Sequence, residues 1–214
     1  MKAIIFSLLG WMFLPIMDGF AKFLSADLPI LQITWARYFF TVVFILPIMF
    51  FFFNKQLVLS DKPKLQILRG LILLSANICF FYSISIISLA KALTLAFIAP
   101  LIVTAFSPLF LGEKVGFRRW TAVTIGFIGS LVVIRPGFLE LNFASLAALC
   151  TGFLYGFYLI ITRKLSSSDN PLLTLLFTGL VGAILLSLII PFYWVKPSLN
   201  QWSLMAGIGV FACI

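Results

Sequence analysis

Long apolar runs separated by short polar turns set the pattern of this chain. Runs at 3–24, 30–53, 66–87, 89–111, 116–134, 143–162 and 172–195 each reach the ~20 residues that a helix needs to cross a bilayer. An eighth begins at Trp202 and is cut short at Ile214. The connections, among them "SADLP", "LGEKVGFRR", "SSSDNP" and "KPSLNQ", are rich in Pro, Gly, Asn, Asp and Ser, which mark turns between antiparallel neighbours. The pattern predicts an all-α integral membrane protein with seven full spans and a partial eighth.

Composition agrees. Hydrophobic residues make up 63% of the chain and charged ones 10%, against about 25% charged in an ordinary soluble domain. A net charge of +9 would suggest nucleic acid in a soluble protein, but here the bases sit between apolar blocks. With the N-terminus in the cytoplasm, Lys2, Lys55, Lys62, Lys64, Arg69, Lys114, Arg118, Arg119, Arg163 and Lys164 fall inside. Lys22, Lys91, Arg135 and Lys196 fall outside. That asymmetry fits the positive-inside rule and makes lipid, not nucleic acid, the partner. The first run is too long for the apolar core of a signal peptide, so it is read as a span.

The chain has no His, and Cys79, Cys150 and Cys213 stand singly in apolar runs. They read as small packing residues, and neither a metal cluster nor a disulfide framework is expected. The acids Asp18, Asp27, Asp61, Glu113, Glu140 and Asp169 are scattered along the chain. No catalytic cluster and no cofactor motif is expected, so the reading is not an enzyme.

A repeat is visible. "AKFLSADLP" at 21–29 aligns with "TRKLSSSDNP" at 162–171, each ending one helix with a base, turning through Ser and Asp, and starting the next at Pro. Pro47 and Pro191 then recur near the far ends of the following helices. The offset of five helices is odd, so the copies are inverted in the membrane. Inverted repeats are a recurrent construction of secondary transporters.

Polar residues at depth mark the candidate chemistry. Trp11, Pro15, Asp18 and Lys22 share one helical face. Helical rise puts Asp18, and Arg37 on the next helix, at matching depth, roughly 12 Å below the outer turn. A charge there costs about 2.5–3.5 kcal/mol, which pairing reduces. One reading is a structural ion pair with Lys22 reaching to the surface. The other is the cationic lip of a substrate cavity lined by Trp11, Trp35 and Tyr38, taking a metabolite with an anionic group. Asn77 and Tyr82 are further candidates for ligand contact, and Asn77 serves equally as helix–helix glue. Pro100 predicts a kink in the fourth span. Glu113 and Arg119 are expected to fix the cytoplasmic turn after that span.

The stretch 99–137, with Pro100, Pro108, "LGEK" at 111–114, Arg119-Trp120, Gly126, Gly129 and Arg135-Pro136-Gly137, resembles the end of an EamA repeat of the drug/metabolite transporter superfamily. Lys22 and Arg37 fit the same likeness. The resemblance implies ten helices in two inverted five-helix repeats, a central cavity, and transport of a small metabolite across the bacterial inner membrane. Residues 1–137 would form the first repeat and 138–214 the start of a second, incomplete one. "MDGFAKFLS" further resembles bacterial carriers assigned to S-adenosylmethionine or riboflavin uptake. A homodimer is compatible with this reading. The alternative is a truncated, non-transporting membrane subunit or fragment that needs a partner chain.

Overall fold

The computed structural model describes residues 2–52, 60–134, 142–166 and 168–213, with side chains described at 13–51, 60–132, 142–166 and 168–213. Among the described residues all regular structure is helical. The helices are α1 (Lys2–Leu24), α2 (Ile30–Phe52), α3 (Pro63–Ile86), α4 (Leu89–Ala96), α5 (Ala99–Leu111), α6 (Phe117–Ile134), α7 (Phe143–Leu165), α8 (Pro171–Ile189) and α9 (Leu199–Phe211), with a 3-10 turn at Ile190–Tyr193. Five segments among the described residues are long and apolar enough to cross a membrane: Ile30–Phe51, Pro63–Ile86, Leu89–Leu111, Phe143–Leu165 and Pro171–Tyr193. The chain divides into two compact units, one of Met1–Pro63 with Asn170–Ile214 and one of Lys64–Asp169.

In the first unit α2 packs against α8 and α9, and α9 packs against α1. Glycine permits the close approach. A Cβ added at Gly182 would lie 2.3 Å from the Tyr38 ring, and one at Gly209 would lie 2.2 Å from the Phe40 Cβ. Without a hydrophobic drive between helices in lipid, such van der Waals contact is what holds them together. Ile45, Met49, Leu173 and Leu176 form the apolar centre between α2 and α8.

The turn from α1 to α2 is closed by Ser25, whose hydroxyl donates to the Lys22 carbonyl at 2.7 Å. Helix α8 starts with the Asn170 side chain accepting from the Leu172 N–H and with Pro171 in its first turn. A capping box of Ser198 and Gln201 starts α9. The two matched prolines behave differently. Pro47 is carried inside α2, whereas at Pro191 the α-helix has given way to the 3-10 turn. The chain beyond Pro191 must leave the axis of α8 to reach α2, where Gln32 donates to the Val195 carbonyl at 2.8 Å and accepts from its N–H at 3.1 Å.

In the second unit α7 packs against α4 and α5, and α6 also packs against α4 and α5. The fourth apolar run is interrupted at Phe97–Ile98, and Pro100 lies in the first turn of α5. Proline has no N–H to offer the Ala96 carbonyl, so the break falls in the turn before it. A Cβ at Gly152 would sit 2.6 Å from that same carbonyl oxygen, and one at Gly156 would sit 2.7 Å from Ile102. The small face of α7 thus receives the broken helix. Gly126 and Gly129 of α6 differ, since a Cβ at either would meet nothing within 4 Å.

Candidate functional site

In the first unit, α1 and α2 bring the charged residues of the opening hairpin together. Asp18 is buried, with 7% of its surface exposed, and the Arg37 guanidinium is close enough to act electrostatically on its carboxyl. Arg37 and Lys22 are half-buried. One turn beyond Arg37, the Thr41 hydroxyl donates to the Arg37 carbonyl at 2.7 Å.

The aromatic candidates sit in firm packing. Trp35 is buried, donates its indole N–H to the Ser187 hydroxyl at 2.9 Å, stacks on Phe39 at 4.6 Å and meets the edge of Trp194 at 5.5 Å. Trp194 in turn lies 6.0 Å from Trp202, which meets Phe40 at 6.2 Å. Tyr38 is buried with its ring against Gly182. The backbone of Trp11 lies in α1, while its side chain is outside the described residues. So is the Arg135-Pro136-Gly137 ending.

Asn77 and Tyr82 belong to α3 in the second unit, Asn77 buried and Tyr82 exposed. The same helix carries a buried polar cluster that spacing along the chain did not single out. Arg69, 4% exposed, donates from Nε to the Thr162 hydroxyl and from Nη2 to the Tyr158 hydroxyl, both at 2.7 Å. Its guanidinium also lies over the Tyr158 ring, 4.6 Å from the centroid. Gln66 donates to the Asp169 carboxylate at 2.6 Å, and both residues are buried. The available signal was the pairing of Gln66 with Arg69 on one face of α3 and of Tyr158 with Thr162 on one face of α7. Replacing Arg69 with methionine removes two charge-assisted bonds and is expected to destabilise the protein by about 2–3 kcal/mol, read as an earlier thermal unfolding in detergent.

Glu113 lies between Arg163 at 2.8 Å and Arg119 at 3.8 Å. The Arg163 contact ties the turn after α5 to the end of α7, which the sequence did not show. All three side chains are between 31% and 52% exposed, and such pairs contribute little. Glu113→Gln is therefore expected to cost less than about 1 kcal/mol in the same unfolding measurement. Among the described residues, no group of three or more Cys, Asp and Glu side chains gathers to hold a metal ion.

A sequence model of the EamA-like transporter family matches residues 1–135, more than half of the chain. The chain belongs to the EamA-like transporter family. It is therefore a multi-pass membrane protein of the drug/metabolite transporter superfamily, a group of transporters and not of enzymes. Among its relatives, an S-adenosylmethionine uptake transporter of Rickettsia felis is 25% identical over 206 residues, spanning 94% of this chain and 70% of the relative. A riboflavin transporter of Vibrio cholerae is 26% identical over 203 residues, spanning 93% and 68%. A pseudopaline exporter of Pseudomonas aeruginosa is 26% identical over 205 residues, spanning 93% and 70%. A protein of known crystal structure shares the fold of this EamA chain with a TM-score of 0.71 at 18% identity, covering 94% of this chain and 70% of that one.

Proposed function

We propose that the protein is a secondary carrier that moves a small metabolite with an anionic group across a bacterial inner membrane. Its N-terminus faces the cytoplasm. Transport proceeds by alternating access between two inverted five-helix repeats, of which residues 1–137 are the first and 138–214 begin the second. The observation that carries the substrate reading is the charge balance of the opening hairpin. Asp18 offers one negative charge at depth, and Arg37 acts on it from α2 while Lys22 stands one turn away on α1. Two basic side chains thus accompany the Asp18 carboxylate in the opening hairpin, a balance that suits a ligand with an anionic group. The relatives named for S-adenosylmethionine, riboflavin and pseudopaline support a metabolite as cargo.

The test is uptake into reconstituted vesicles with a panel of metabolites that differ in charge. Arg37→Ala and Lys22→Ala are each expected to lower uptake of an anionic cargo at least tenfold, with the protein still folded. Equal uptake of anionic and neutral analogues by the wild type, untouched by either substitution, would remove the proposed site. Measuring Asp18→Asn across a pH series asks whether that carboxyl couples transport to protons. Under that coupling, the wild-type dependence on an imposed proton gradient disappears in the variant. Retention of the dependence excludes Asp18 as the coupling group.

A further inference from the structure

The sequence reads the cysteines as isolated packing residues, yet the fold brings two of them together. Cys79 of α3 and Cys150 of α7 are near enough to act electrostatically on each other. The helix register agrees. Cys79 and Cys150 are equally far from Ile86 and Phe143 at the neighbouring ends of their helices, a depth of about 10 Å by helical rise. Immediately beside them, the Thr151 hydroxyl reaches across from α7 to the Ala76 carbonyl of α3 at 3.3 Å. Ala76 and Thr151 are both buried, so the two helices meet at this point. Both thiols are reduced, Cys150 exposed and Cys79 half-buried. An accessible thiol beside a more sheltered one is the arrangement in which the first meets an oxidant and the second resolves it.

We infer that Cys79 and Cys150 form a reversible dithiol–disulfide site that clamps α3 to α7, oxidised by a lipid-soluble quinone. Two S–H bonds break and one S–S bond forms. The two electrons and two protons pass to the quinone, which departs as the hydroquinone. A quinone suits the position because it dissolves in the hydrocarbon region, whereas charged peptide disulfides do not. The clamp lies wholly within the second unit and is independent of the transport reading.

Counting thiols tests it. Membrane vesicles holding the protein are treated with ubiquinone-1, or with diamide as a second two-electron acceptor. The chain is then denatured and labelled with a maleimide-polyethylene glycol that shifts its mobility once per free thiol. The untreated chain takes one label on each of its 3 cysteines. Cys213 is the internal reference, since it belongs to the first unit and its thiol donates to the Gly209 carbonyl at 3.1 Å. After oxidation the chain is expected to lose the labels on Cys79 and Cys150, keep the one on Cys213, and recover all of them with dithiothreitol. Cys79→Ser and Cys150→Ser are each expected to keep every remaining label under oxidant. Full labelling of the wild type after both oxidants overturns the site, as does loss of label from either variant. Closure by diamide without closure by ubiquinone-1 overturns the assignment of the oxidant.

Discussion

Gly182→Leu is expected to prevent α2 and α8 from docking and to leave little folded protein in detergent. The first carbon of the new side chain would already lie 2.3 Å from Cγ of Tyr38 and 2.6 Å from both ring carbons beside it. The Tyr38 ring has nowhere to go, because the residue is only 2% exposed. Overpacking a filled site typically costs about 1–3 kcal/mol, and more where a ring blocks the way. Here the whole leucine must be placed, so the loss is expected to exceed about 3 kcal/mol. Shrinking the opposing residue should relieve it. Gly182→Ala with Tyr38→Leu is expected to fold better than Gly182→Ala alone, as compared by size-exclusion chromatography and thermal unfolding. If the two variants behave alike, the Gly182–Tyr38 contact does not hold these helices together.

The second large effect concerns the charges of the hairpin. Removing Arg37 takes away the cation that acts on the Asp18 carboxyl, which is 7% exposed, and leaving a buried charge without its compensating partner typically costs about 3–5 kcal/mol. Arg37 is itself half-buried, so water reaches part of the pair and the lower end of that range is expected for Arg37→Ala. Neutralising both partners is a different perturbation. It leaves no uncompensated charge, and the replacement of a buried pair by neutral residues is often without cost. Asp18→Asn combined with Arg37→Gln should therefore restore most of the stability lost in the single variants.

Much of the architecture can be read from the chain because the bilayer imposes one length on every span. The bounds of α2 and the starts of α7 and α8 follow to within a residue from where charge and Pro interrupt the apolar runs. Helix α7, by contrast, runs on through Arg163 and Lys164 to Leu165, past the expected end at 162. The place of the break near Pro100 also follows from chemistry, since the missing N–H acts on the preceding turn. What could not be read depends on partners distant in sequence. Nothing local to Arg69 indicates that Tyr158 and Thr162 will surround it. Nothing local to Gly182 distinguishes it from Gly126, yet one receives a tyrosine ring and the other meets open space. Cys79 and Cys150 looked solitary for the same reason. Trp35 and Tyr38 were legible as aromatic residues beside Arg37, but their packing against Ser187, Trp194 and Gly182 required the α2–α8 contact to be known.

Two roles for the Asp18–Arg37 pair make opposite forecasts for the doubly neutral variant. A pair that only holds helices together can be replaced by two amides without loss of activity once stability returns. A pair that receives the cargo cannot. The deciding measurement is uptake of the best anionic metabolite by Asp18→Asn/Arg37→Gln, reconstituted beside wild type at equal protein and after both show matching thermal unfolding. A well-folded variant whose uptake has fallen to the level of empty vesicles is expected. Wild-type uptake by that variant would contradict a role of the pair in receiving the cargo.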